Sequence, residues 1–330
     1  MNISKKPSNL HAEQRRRWLA AGLSVVAVAA FTPFNARAAQ RVLRIGNQKG
    51  LLSLLKNRGT LEKRLAPLGV TITWTEFTAG PVQLEALNVG SIDFGDVGEA
   101  PPIFSQAAGS PLIYAAATVP HPSMEAVLVQ NASAIKTVRD LKGKKVALNK
   151  GSNVHYFLVK LLEKNGLHYN DVDIAFLAPA DARAAFERGA VDAWVIWEPY
   201  LAAAEKTMSA RILVDATGVV QNRQYYFSSK DYAKQNADVL KIVIEEVNKI
   251  DLWGRDHPSD LAAEYSAVLG LPKPIVDVMI KRSGFGTLPV TNAILGEQQV
   301  VADTFFNLKL IPKKINVHDA APPWLAAGAA

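Results

Sequence analysis

LNVGSIDFGDVGEA, residues 87–100, reads as the end of a helix, a glycine turn, a short strand and a polar edge that opens another helix. FERGAVDAWVIWEP, residues 186–199, has the same layout at a constant offset of 99, matching Gly90 to Gly189, Asp93 to Asp192 and Glu99 to Glu198. Working outward, TITWTEF (71–77) precedes a helix at 81, as DIAFL (173–177) precedes one at 181. RIGNQKG (44–50) lies over KVALNKG (145–151) at offset 101, each a strand, a polar residue, Lys-Gly and a helix. The unit strand–helix–strand–helix–Gly–strand–helix thus occurs twice. A period near 100 residues is too long for a solenoid repeat and predicts two similar α/β lobes. Further strands are predicted at 112–118, 125–130 and 223–229, and the chain turns mostly helical after 230. Such alternation means α/β layers around largely parallel sheets.

Composition narrows the function. Residues 1–38 read as an export signal: a basic start, an apolar run from Trp18 to Phe31, and Ala36-Arg37-Ala38 as a cleavage site. The run is short for a membrane span, and Arg15-Arg16-Arg17-Trp18-Leu19 loosely resembles a twin-arginine signal. The signal holds six of the 37 Lys/Arg and one of the 30 Asp/Glu, which leaves 31 and 29, a net charge of +2. The high pI therefore describes the signal. The mature part has no dense basic run with interleaved aromatics, so nucleic acid is not an expected partner. With no cysteine there are neither disulfides nor a thiol nucleophile. The six His show no metal-binding spacing, and Ser152 lacks a nucleophile elbow. Neither a metal nor catalysis is expected.

NKGSNVHYFLVKLLEKNG, residues 149–166, contains a helix with one buried face at Val154, Phe157, Leu158, Leu161 and Leu162. One cap residue would start it; Gly151-Ser152-Asn153 offers a hydroxyl, an amide and a backbone that a ligand can approach. A helix start also carries about half a positive charge, which suits a small oxoanion. FTAGP (77–81), GDVGEAPP (95–102), WEPY (197–200) and GNQKG (46–50) are similar turns. All five are expected at the carboxyl edge of parallel sheets, where α/β proteins bind ligands. Phe77, Trp197 and Tyr200 could line a slot for a carbon chain, with Trp194 in the core. His155 is either a donor facing the pocket or a helix-surface residue. Asp93 and Asp192 fix loops.

Several stretches resemble the aliphatic sulfonate-binding proteins of bacterial ABC importers. They are GNQKG, LEALNVGSIDFG, GEAPPIFSQAAG, KTVRDLKGKKVALNKGSNVHYFLVKLLEKNGL, PADARAAFERGAVDAWVIWEPY and NLKLIPKKI. The likeness runs from about 40 to 315 in matching order. It implies an α/β type II periplasmic binding protein with two lobes, a central cleft and two hinge strands. The first lobe would be 39–127 with 226–330 and the second 128–225, hinged near 125–130 and 223–229. By position it points to Gln48, Thr78, Gly80, Ser152, Asn153 and His155 as ligand-binding, with Glu99, Trp197 and Glu198 nearby. It implies a periplasmic monomer that takes up an organosulfonate and delivers it to a membrane permease, without a cofactor. Taurine, nitrate and pyrimidine-precursor binders belong to the same wider group. An enzyme on this scaffold and a signalling receptor stand as alternatives. Two departures bear on the ligand. Asn47 stands where the family often has Tyr. Asp96 and Glu99 place carboxylates near an anion site, where they either point away, balance Lys49 or meet a cationic group on the ligand.

Overall fold

The repeat's two aspartates anchor the same contact in both halves of the molecule. Asp93 accepts the backbone N–H of Arg44 at 2.9 Å and returns its own N–H to the Arg44 carbonyl at 2.7 Å. Asp192 makes the same exchange with Lys145, both bonds at 2.8 Å. The turns before them match too, with Gly90 and Gly189 at φ 71° and 68°.

The computed structural model describes Met1 and residues 41–325; the rest of the expected export signal and the last five residues lie outside them. The strands are β1 (Arg41–Asn47), β2 (Val70–Glu76), β3 (Phe94–Gly98), β4 (Leu112–Thr118), β5 (Glu125–Gln130) and β6 (Lys145–Leu148). They continue with β7 (Asp173–Phe176), β8 (Ala193–Trp197), β9 (Ala210–Asp215), β10 (Gln224–Ser229) and β11 (Thr287–Pro289). One sheet runs β2-β1-β3-β10-β4-β11 and the other β7-β6-β8-β5-β9. Each has three parallel strands on one side. Each then receives an antiparallel strand, β10 in the first and β5 in the second.

In chain order the helices are α1 (Leu51–Arg58), α2 (Thr60–Leu65), α3 (Gly80–Asn88), α4 (Pro101–Ala107), α5 (Asn153–Lys164) and α6 (Pro179–Glu187). They continue with α7 (Tyr200–Thr207), α8 (Lys230–Gln235), α9 (Ala237–Asp256), α10 (Pro258–Leu269), α11 (Lys273–Arg282) and α12 (Asn292–Asn307). The apolar stripe of α5 is buried as its spacing requires, with Val154, Phe157 and Leu158 fully covered. Among the described residues, no helix is long and apolar enough to cross a membrane.

One detail of the fold differs from the sequence expectation. Strands 125–130 and 223–229, expected as hinges, are interior members of the sheets, hydrogen-bonded on both sides. The segments that pass between the sheets are 119–124 and 216–223. They lie side by side, with the His121 N–H on the Gln221 carbonyl and the Asn222 amide on the His121 carbonyl. The apolar runs disclosed strands; they carried no information on which sheet a strand joins. The short strand expected after the Gly90 turn lies at 94–98, where FGDVG holds residues that strands avoid and is kept extended by its neighbours β1 and β10.

One apolar core runs behind both sheets and joins Val97 and Ile103 to Val146 and Phe157. Phe305 on α12 sits at its centre, with ring centroids 4.8 Å from Phe104 on α4 and 5.9 Å from Tyr156 on α5. On another side Arg282 of α11 reaches Glu198, before α7, and Glu205 on α7, both at 2.7 Å. Trp194 is core, packed on Phe186.

Candidate functional site

The carboxyl ends of β1, β2 and β3 face those of β6 and β8 across a cleft of about 520 Å³. Five turns meet there: Gln48–Gly50, Phe77–Gly80, Asp96–Gly98, Ser152–Asn153 and Trp197–Tyr200. Of the residues singled out from sequence, Gln48, Thr78, Gly80, Ser152, Asn153, Trp197 and Glu198 line this space. Glu99 and His155 do not.

The helices that start at the cleft, like most others among the described residues, begin without a side-chain cap. No side chain caps α1, α3 or α5. Elsewhere, Ser229 caps α8 and Thr291 caps α12 through their hydroxyls. At α5 a capping residue is present and does not cap: the Ser152 hydroxyl donates instead to the Asn149 carbonyl at 2.7 Å. The first N–H groups of these helices therefore keep their partial positive charge for something else.

His155 explains part of the Gly-Ser-Asn turn. Its ring is fully buried, and its Nδ1 accepts the Gly151 N–H at 3.2 Å. Nε2 then carries the proton and faces the Tyr169 hydroxyl at 2.7 Å. Burial pushes this imidazole down to about 4, so it stays neutral. It braces the turn from behind, in the aromatic group of Phe104, Tyr169 and Phe305. This corrects both readings of His155, as a donor facing the pocket and as a surface residue.

Glu99 is sealed beneath the cleft at 4 % exposure. Burial pushes its carboxyl up to about 8. Glu125 across the lobe junction is raised as well, first by burial and then by Glu99. The Asn153 amide bridges Glu125 and Asn222. Glu198 reaches the cleft, yet its carboxylate is held by Arg282 and by the Ala202 N–H at 2.9 Å. Desolvation raises it, against the stabilising guanidinium.

Gly80 is fixed by contact: a Cβ there would lie 2.9 Å from the Pro101 ring and 3.1 Å from Val97. Gln48 donates to the Asp96 carbonyl at 2.7 Å, which ties the first turn to β3. Lys49 pairs with Glu76 at 3.5 Å. Trp197 and Tyr200 meet edge to face at 6.2 Å. Reading the sequence missed the contribution of the crossing segments and the start of β10: His121, Asn222 and Gln224 also line the cleft. His121 stands between two prolines, and Asn222 and Gln224 in a polar run; both resemble ordinary loop sequence.

Two lobes of matched topology, joined by two crossing segments around one cleft, define a periplasmic binding protein of the second type. Comparison with known proteins agrees. The family described as "NMT1/THI5 like" matches residues 69–260. The crystal structure of the periplasmic aliphatic sulphonate binding protein SsuA from Escherichia coli is 41% identical. It superposes with a TM-score of 0.79 over 85% of this chain and 91% of that one. The alkanesulfonate-binding protein SsuA from Xanthomonas axonopodis pv. citri, solved bound to MOPS, is 39% identical. Its TM-score is 0.82, over 85% of this chain and 97% of its own. A taurine-binding periplasmic protein of Escherichia coli is 25% identical over 256 residues, 71% of this chain and 78% of that protein. The chain belongs to the NMT1/THI5-like family and, within it, to the aliphatic sulfonate-binding proteins.

Proposed function

We propose that this protein is the exported solute-binding component of an ABC importer and captures an aliphatic sulfonate between its lobes. The observation that carries this reading is the convergence of three uncapped helix starts, α1 and α3 from one lobe and α5 from the other, on one cleft. The anionic head lies against the N–H groups at Gly80 and Asn153, with Gln48 and Thr78 beside it. Ser152 acts through the turn, since its hydroxyl is already engaged. Phe77, Trp197 and Tyr200 enclose the carbon chain.

Magnitudes support a division of labour. Micromolar capture needs about 8 kcal/mol. A partly buried helix start contributes up to ~2 kcal/mol to an anion, so three leave a remainder for apolar walls at about 25 cal/mol per Å². A bare inorganic anion lacks that remainder. The lobes are 41–118 with 224–325 and 125–215, and ligand-biased closure occurs about the crossing segments. The protein works in the periplasm as a monomer and hands its ligand to a membrane permease.

Calorimetric titration of the purified protein with alkanesulfonates, taurine, sulfate, nitrate and pyrimidines tests this. Heat from alkanesulfonates at micromolar concentration is expected. Binding of nitrate or pyrimidines alone would overturn the assignment.

A further inference from the structure

Below the helix starts, the cleft continues into the first lobe between β10 and helices α9, α10 and α11. Its walls there include Leu261, Leu271, Met279 and Ile280, and it also holds two carboxyl groups, Asp96 at 4 % exposure and Asp251 at 6 %. Asp96 Oδ2 accepts from the Gln224 amide at 3.1 Å, while its Oδ1 is buried with no partner. Asp251 Oδ2 accepts the Gly286 N–H at 2.7 Å. Among the described residues, no Lys or Arg pairs with either carboxyl, and Lys49, on the turn beside Asp96, is paired with Glu76. Tyr226 on β10, directly opposite Asp96 in the sheet, and Tyr265 on α10 line the same space and bring no positive charge. A carboxylate taken from water without a counter-charge is costly. It is also poorly placed beside a site for anions.

Resting on the sulfonate reading above, we propose that the ligand is a zwitterion. Its sulfonate lies on the helix starts, and a cationic nitrogen at the far end of its chain pairs with the Asp96 carboxylate, which lines the cleft. Asp251 adds negative potential, and the intervening methylenes run from the Phe77, Trp197 and Tyr200 rings to the aliphatic walls below them. Burial pushes the Asp96 carboxyl up to about 6, so it remains mostly ionised at neutral pH, ready for a cation. The selected substrates are therefore aminoalkanesulfonates in preference to simple alkanesulfonates.

Two ligands of equal length separate these classes. Homotaurine is a propanesulfonate ending in ammonium, and butanesulfonate carries a methyl group at the same place. Titration of the purified wild-type protein should give at least about tenfold tighter binding of homotaurine, the scale of a charge-assisted hydrogen bond. Asp96→Asn keeps the shape and an oxygen for Gln224. It should weaken homotaurine about tenfold and tighten butanesulfonate by removing a like charge; the second effect also shows that the variant is folded. Equal or tighter binding of butanesulfonate by the wild type would overturn the proposal while leaving the sulfonate reading intact. So would equal weakening of both ligands in the variant. Silence of the wild type toward both, with every other alkanesulfonate silent too, would bring down the sulfonate reading and this proposal together.

Discussion

Gly80, the first residue of α3 at the cleft, has no room for a methyl group. Gly80→Ala must push the Pro101 ring or Val97 aside. Overpacking of this kind costs about 1–3 kcal/mol, so we expect a lowered Tm and, because the helix start moves, several-fold weaker sulfonate binding by calorimetry. Glu99 acts on stability in the opposite way from a paired carboxylate. Unfolded, it titrates near 4.5; folded, near 8. Between those values the folded protein holds a proton that the unfolded chain has lost, so stability falls as pH rises and levels off above about 8. Glu99→Gln should therefore flatten the decline of Tm across that window, which scanning calorimetry at several pH values would register. An unchanged slope would show that the carboxyl is not the source.

Helix α5 shows how far an element can be read from its residues alone. Its apolar stripe, its start and its stop were legible because 3.6-residue periodicity is local information. The direction of the His155 ring was not, since it depends on Tyr169 and Phe305, one in a later turn and the other on α12. Even so, His155 stands three residues before Leu158 and seven before Leu162, an apolar-face spacing that argued for burial. The uncapped state of the helix was also hidden: Ser152 is a favoured cap by type, and only its bond to Asn149 reveals that it is used otherwise. His155→Phe keeps the bulk and deletes the acceptor for the Gly151 N–H. Leaving that donor and the Tyr169 hydroxyl unpaired costs about 1–3 kcal/mol. Weaker ligand binding and a lower Tm are expected, although the ring never touches the cleft. Full affinity in this variant would show that the brace is irrelevant to the turn. β3 illustrates the other limit. Its FGDVG sequence holds poor strand formers, and its neighbours β1 and β10 hold it extended.

At the scale of the molecule, Phe305 ties the lobes through one shared core, so the two should unfold together. Phe305→Ala removes a fully buried ring and should cost about 3–5 kcal/mol. Urea titration followed at Trp194 in one lobe and Trp253 in the other would check whether the two transitions shift in step. The paired lobes and their cleft were legible from the repeat. The route of the chain between them was not, because a repeat says what is alike and not what is exchanged. That exchange has a consequence for biosynthesis. All five strands of the β5–β9 sheet lie in one uninterrupted stretch, 125–215, whereas the other sheet needs β10 inserted between β3 and β4, which were made more than a hundred residues earlier. A chain emerging from the ribosome can thus complete its middle lobe first. Its leading lobe must wait, with an open slot, for the return strand to arrive.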